Sequence, residues 1–522
     1  MVAIVAALTV LAGACSGDGP PDAFGGSTVP GTSIAEASTI PPSTIGAGAG
    51  AGAGAGDSAV PATSETAGSG APTSTDTAGS PPTTPGGGAG AVTTNAPTGS
   101  PTTLAPAATS TTAAPTPDQV QQAVAAYTLG TPGPADAVNG TYGIGWINQE
   151  GGSPSFPDAT TGLAAAVDYV NRNLGGIGGR VLELHTCAIQ KAADGSRCAQ
   201  QMKDDPAVSV VLVGAVAVGN TELLGGLQGA KPVVLANPIT TADYLATDAV
   251  SFQPGAPGII AGLTRFAATG LAAGPPTKVA VVYPLGLAGE AAYQLLAKPV
   301  LDRLGITAVP VAVIEASDPS KYAPVITAAG AADAQAFIPI LGGRGCVGID
   351  QALRDLASSA AVLATDACLG ASMNAQLLAT ARTGVLPEGW YIGGSGFRFG
   401  IAGSPAQDTY LQVISEYLAR NSLPLVDVTR YAATSFAAAL TVVRLANQLG
   451  PDGATTDAMR AATRGFAGPM WDVAGPMSCG FNPFYPSLCG TQMGVERYSA
   501  GAFTPVADAY TGASVSLVDA AG

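Results

Sequence analysis

Leu163-Ala-Ala-Ala166-Val167-Asp-Tyr-Val170-Asn-Arg-Asn-Leu174-Gly175-Gly176-Ile-Gly178-Gly-Arg180-Val181-Leu-Glu-Leu-His185 reads as helix, turn and strand in one run. Leu163, Ala166, Val167, Val170 and Leu174 fall at i, i+3, i+4, i+7 and i+11, one face of a helix. Asp158 or Thr160 is placed to cap its start and Gly175-Gly176 its end. The glycines turn the chain tightly, and Val181–His185 then has the texture of a strand. A dinucleotide fingerprint puts its glycines after a strand and before a helix; here the order is reversed, which excludes that chemistry.

The same alternation runs outward in both directions. Tyr142–Ile147, Val208–Val213, Pro232–Ala236, Lys278–Tyr283, Val309–Ile314, Ala336–Leu341 and Ala361–Thr365 are short and mostly Val/Ile-rich, as strands covered on both faces are. Helical patterns lie between them, with further helices expected over Gly289–Leu304 and Thr434–Leu449. Strands alternating with helices at spacings of about 25–40 residues indicate βαβ units and parallel sheets. Four strands precede Gln253-Pro254-Gly255 and four or more follow it, which predicts two α/β lobes instead of one wide sheet. Ligands of open α/β sheets bind beyond the carboxyl ends of the strands, so two such lobes would enclose a cleft.

The first 117 of the 522 residues have a different character. Met1 to Ala14 is an apolar run too short to span a bilayer comfortably, ending in small residues as a signal cleavage site requires. Cys15 follows at once, and the segment resembles a bacterial lipobox. It departs from that pattern in having Ala12 where Leu is usual and no Lys or Arg before the apolar run. The resemblance implies a lipid on Cys15 and a membrane anchor; the alternative is a plain secretory signal. Residues 16–117 are almost wholly Ala, Gly, Ser, Thr and Pro, with six acids and no Lys or Arg, and cannot bury enough apolar surface to fold. A flexible chain of that length has an r.m.s. span of roughly 50–60 Å, the reach of a tether.

The formal charge is −15, and the residues after the tether keep 30 acids against 21 bases, which argues against a nucleic-acid partner. No apolar run after Cys15 reads as a transmembrane helix. The six remaining cysteines of an exported chain are expected in disulfides, with the close sequential pairs Cys187–Cys198, Cys346–Cys368 and Cys479–Cys489 the favoured ones of 15 pairings. There is no CxxC, and His185 is the sole histidine, so neither a metal nor another cofactor is expected. GxxxxGK[ST] and HExxH are absent. Gly393-Gly-Ser395-Gly-Phe397 fails the nucleophile-elbow pattern at its last position. Enzyme chemistry is accordingly not expected.

The stretch Asp168–Leu184, with its Asn171 helix end and Gly-Gly-Ile-x-Gly-Arg turn, resembles the type I periplasmic solute-binding proteins, the leucine/isoleucine/valine-binding group that serves ABC importers. Further matches follow in order at Asp205–Gly214, Lys231–Thr241, Lys278–Tyr283 and Gly289-Glu290, so that the resemblance spans about 138–510. It implies two doubly wound α/β lobes joined by three crossovers, placed near Pro254, Gly389 and Pro476. Lobe one is then 138–255 plus 390–475, and lobe two 256–389 plus 476–515. It also implies capture of a small solute and delivery to an ABC permease on the outer face of the cytoplasmic membrane. A tethered sensor or scaffold of the same fold is the alternative.

The resemblance carries ligand contacts onto particular residues. The loop Gly214–Thr221 would offer Val218 and Asn220, but lacks the early hydroxyl that family members use on a ligand carboxylate. Thr240 and Thr241 fit the tip of the fourth strand, Asp366 the acid that pairs with an ammonium, and Phe156 an aromatic wall. Each has an ordinary role as well: Asp366 and Thr240 as helix caps, Phe156 as packing. The aromatic usual before Gly289-Glu290 is Ala288 here. The missing hydroxyl and aromatic point to a solute other than a standard amino acid.

Overall fold

A computed structural model describes residues 115–152, 154–315, 318–369, 387–395, 405–423, 431–472, 476–499 and 502–506. The signal segment, Cys15, residues 16–114 of the linker and residues 507–515 of the expected second lobe lie outside the described residues.

Two sheets carry the fold. The first contains β1 (Thr141–Gln149), β2 (Val181–Ile189), β3 (Val208–Ala215), β4 (Val233–Asn237) and β5 (Ala249–Val250), in the order β2-β1-β3-β4-β5 and parallel throughout. Its crossovers are α2 (Pro157–Asn173), α3 (Asp194–Asp204), α4 (Asn220–Leu227) and α5 (Thr241–Leu245), which follow α1 (Pro117–Thr128). The second contains β6 (Lys278–Pro284), β7 (Thr307–Val313), β8 (Ala336–Pro339), β9 (Ala361–Thr365) and β10 (Tyr391–Gly394), all parallel. The antiparallel strands β13 (Gly494–Ser499) and β14 (Ala502–Pro505) complete the order β14-β13-β10-β9-β8-β6-β7. Helices α6 (Gly255–Thr269), α7 (Leu287–Ala292), α8 (Lys298–Arg303), α9 (Tyr322–Ala328) and α10 (Gly343–Asp355) belong to this second unit, whereas α11 (Pro405–Arg420), α12 (Tyr431–Leu449) and α13 (Thr456–Arg464) return to the first.

Three local readings change. Neither Asp158 nor Thr160 caps α2: the cap position is Phe156, with no side-chain hydrogen bond and Pro157 at the first turn. Thr160 is turned inward, where its hydroxyl donates to Glu150 and accepts from Trp146 Nε1 at 2.7 Å. The helix expected over Gly289–Leu304 is broken into α7, a π turn at Tyr293–Ala297 and α8. Pro299, which has no N–H for the preceding turn, sits at the start of α8 and accounts for the break. Residue 390 does not begin the return to the first lobe, because Tyr391–Gly394 pairs with β9 and β13 in the second sheet. That crossing lies after Gly394. A four-residue strand ending in two glycines has the texture of a turn, which conceals it in the sequence.

Close helix packing fixes the first lobe. A Cβ on Gly162 would stand 1.9 Å from the Ala432 carbonyl oxygen, so α2 and α12 touch backbone to backbone. The helix α1, unforeseen in the sequence, opens with a Thr116/Gln119 capping box and buries Val120 and Val124. Its Tyr127 stands edge-on to Trp471, bonds Thr441 at 2.8 Å, and lies under the Arg444 guanidinium.

Among the described residues, a short paired ribbon lies where the chain leaves the first sheet. Ser251 pairs with the 487–489 segment: its N–H donates to Ser487 O (2.6 Å), and Cys489 N donates to Ser251 O (2.8 Å). The strands β11 (Ala467–Pro469) and β12 (Pro476–Ser478) pair beside it, with Ser478 N donating to Cys489 O at 2.9 Å. Disulfides join Cys479 to Cys489 at this ribbon, Cys187 to Cys198 between β2 and α3, and Cys346 to Cys368 between α10 and the turn that follows β9.

Candidate functional site

The carboxyl edge of the first sheet gathers the loops after β1, β3 and β4. Gln149 ends β1 and is 0% exposed. Its Oε1 accepts from Ala217 N at 2.7 Å and Val218 N at 3.3 Å, and its Nε2 donates to Pro154 O at 2.7 Å. The β3 loop is therefore clasped to the β1 loop by one buried side chain. Beside it, Asn148 Nδ2 donates to Phe156 O at 2.7 Å and to Glu150 Oε1 at 2.9 Å.

The next node is Asp243, 2% exposed. Its Oδ2 accepts from Ile239 N at 2.9 Å and Thr240 N at 2.8 Å; its Oδ1 accepts from Asn220 Nδ2 at 2.7 Å. Thr240 caps α5 reciprocally, accepting from Asp243 N at 3.2 Å. Burial pushes the Asp243 carboxyl up, and these three N–H donors oppose the shift.

Four of the residues expected at a ligand therefore lie in the loops or at the helix starts after β3 and β4, three of them bonded to one of these two buried acceptors. Val218 gives its N–H to Gln149, Asn220 and Thr240 both engage Asp243, and Thr241 opens α5 at 2% exposure. Phe156 is buried against Tyr431, ring centroids 5.1 Å apart and nearly perpendicular. Asp366 stands apart from them, half-buried on the other sheet, where it begins the turn Asp366–Leu369 directly after β9. Gln149 and Asp243 were missed. Asp243 had a signal, because Thr240-Thr-Ala-Asp243 is the capping-box spacing; Gln149 had none.

The carboxyl edge of the second sheet is built differently. Tyr283 OH donates to Glu290 Oε2 at 2.6 Å, Gln294 Nε2 to Glu290 Oε1 at 2.8 Å, and the Tyr283 ring stacks on Tyr293 at 5.5 Å. The Tyr283 hydroxyl holds the Glu290 carboxyl below its usual range, while burial raises Tyr283 itself. Leu285, just after β6, is 67% exposed, and Ile314, just after β7, is 63% exposed. Among the described residues no cluster of His, Cys, Asp or Glu could hold a metal ion, and no helix is long and apolar enough to cross a membrane.

Among the described residues, Thr241 of the expected ligand set lines a cavity on the outer side of α4 and α5, and a second cavity lies on the other sheet. The first, of about 320 Å³, sits between Thr221, Leu224, Leu245 and Asp248. The other, of about 720 Å³, opens at the amino ends of the second sheet near Arg354, Trp390 and Arg497.

No family model matches this chain, and no curated protein matches it by sequence. Solved structures do match it. A fatty acid ABC transporter substrate-binding protein from Thermomonospora curvata is 15% identical with a TM-score of 0.55, over 75% of this chain and 96% of that chain. A branched chain amino acid ABC transporter protein from Thermus thermophilus, with bound valine, is 16% identical with a TM-score of 0.54, over 74% and 98%. The R. palustris solute-binding protein in complex with 4-hydroxybenzoate is 16% identical with a TM-score of 0.53, over 70% and 95%. With its two parallel-rich sheets and the helices between their strands, the chain has the α/β fold of the type I periplasmic binding proteins.

Proposed function

We propose that this chain is an extracytoplasmic solute-binding protein that takes a small amino-acid-like or related polar solute between its two lobes and passes it to an ABC importer. The observation that carries the reading is the fold: its likeness spans 95–98% of the lengths of the three ABC-transport proteins named above. In this reading the carboxyl edges of the two sheets face one another. Val218, Asn220, Thr240, Thr241 and Phe156 belong to the lobe-one wall of the site, and Asp366 to the lobe-two wall. Residues 251–254 and 487–490 form part of the hinge. Cys15 carries a lipid, and the linker lets the binding domain sample solute away from the membrane and return to a permease.

Binding that favours the closed state must stabilise the protein. A solute at a hundred times its Kd adds about 2.7 kcal/mol, a rise of several degrees in Tm. A thermal-shift screen of amino acids, amides, alcohols, fatty acids and aromatic acids, followed by calorimetry, is the test. The reading is abandoned if no small molecule raises the Tm. Mass spectrometry of the mature N-terminus tests the lipid on Cys15 separately.

A further inference from the structure

Four backbone N–H groups point from neighbouring strand ends of the first sheet, those of Ala217 and Val218 after β3 and of Ile239 and Thr240 after β4. All four are taken within the lobe, two by Gln149 Oε1 and two by Asp243 Oδ2. The acceptors are buried, at 0% and 2% exposure. A solute carboxylate arriving here would meet carbonyl and carboxyl oxygens in place of free donors. Displacing Gln149 would strand its carbonyl without the two N–H groups it now accepts from, and an unmade buried hydrogen bond is costly.

The acceptors of the same edge are in the opposite condition. Asn148 Oδ1 and Asn220 Oδ1 are buried and receive no hydrogen bond. Both amide orientations are fixed by their neighbours. Asn148 Nδ2 faces the Phe156 carbonyl, and Asn220 Nδ2 faces an Asp243 oxygen; neither partner would tolerate an oxygen in its place. Donors filled and acceptors unfilled make an edge that asks for hydrogen.

We infer that the first sheet's edge is closed to carboxylates by its own Gln149 and Asp243, and that the solute presents hydrogen-bond donors there, as an amine, an amide N–H or a hydroxyl. This rests on the solute-binding reading and names its substrate class. It separates the chain from its structural neighbours, since valine and 4-hydroxybenzoate each carry a carboxylate.

The test uses matched pairs that differ in the carboxylate: leucine and leucinol, valine and valinol, 4-hydroxybenzoate and 4-hydroxybenzyl alcohol. Calorimetry on the full chain should find the alcohol at least tenfold tighter in every pair that binds. Gln149→Ala, which frees two N–H groups, should cut that preference at least threefold, and hydrogen exchange at Ala217 and Val218 should quicken at least tenfold while the far-ultraviolet circular dichroism is unchanged. A wild-type preference under tenfold, or a preference for the acid, overturns the inference while leaving the solute-binding reading intact. Should neither these pairs nor the broad screen yield any binder, it is the solute-binding reading that has failed, and the inference falls with it.

Discussion

The two sheets share parallel pairing and a strand texture, yet finish their carboxyl edges in opposite ways. The first ends in a sealed polar network: Gln149, Asn220, Thr240 and Asp243 pair with one another or with backbone, and all four are buried. The second ends in the partly solvated Tyr283–Glu290–Gln294 set and two apolar side chains, Leu285 and Ile314, held out to solvent. A buried polar network in a low-dielectric setting is stiff and intolerant of loss. An exposed apolar pair contributes little to the fold and is free to serve something else. One edge therefore has its shape set before any solute arrives, while the other holds unused contact surface.

The largest effect that would break this contrast is the loss of Asp243. Asp243→Ala strands the N–H groups of Ile239 and Thr240 and the amide of Asn220, and should cost about 3–5 kcal/mol of stability, since each buried unsatisfied group costs roughly 1–3 kcal/mol. The corresponding Glu290→Ala at the second edge should cost under about 1 kcal/mol, because its groups regain water. Denaturant unfolding of both variants measures the difference. Equal losses would mean that the first edge is no more sealed than the second.

The contrast was only half legible in the sequence. The βαβ alternation located the eight principal strands to within a few residues, since Val/Ile-rich runs bounded by glycine follow directly from burial on both faces. The type I fold came from the resemblance carried by Asp168–Leu184 and the matching stretches after it. Elements whose residues carry no such pattern were not seen: β10 is Tyr-Ile-Gly-Gly, and α1 lies where the low-complexity segment gives way to Pro117-Asp-Gln-Val. At the site, loop positions were legible but their partners were not. Thr240 was read as a ligand contact or a cap, and the capping box shows the cap. Gln149 clasps a loop 68 residues away, which no local spacing reveals.

Titration sharpens the same comparison through a smaller effect. Burial raises the Asp243 carboxyl, so the folded state holds that proton more tightly than the unfolded chain does. Its contribution is fully present below the unfolded value of about 3.9, and is lost as pH rises through the folded one. Glu290 is lowered by the Tyr283 hydroxyl, so its contribution is present above the unfolded value of about 4.3 and is lost as pH falls through the folded one. Stability measured against pH for Asp243→Asn and Glu290→Gln, each minus wild type, should show slopes of opposite sign. Slopes of the same sign would place the two carboxyls in like environments.

The smallest expected effect on stability concerns the two exposed side chains of the second edge. At 67% and 63% exposure, Leu285 and Ile314 bury little on folding, so Leu285→Ser and Ile314→Ser should each move stability by no more than about 0.5 kcal/mol. Binding is where they should register. If lobe closure brings them against the solute, covering about 40 Å² of apolar surface apiece at about 25 cal/mol per Å² amounts to about 1 kcal/mol each. The dissociation constant of the tightest solute should then rise about fivefold per substitution, with Tm in the absence of solute unchanged. Affinity unmoved in both variants would leave the second edge outside the site and give its exposed surface no part in capture. A fall in Tm without solute would show instead that the two side chains already serve the fold, and that the edges differ less than their exposure implies.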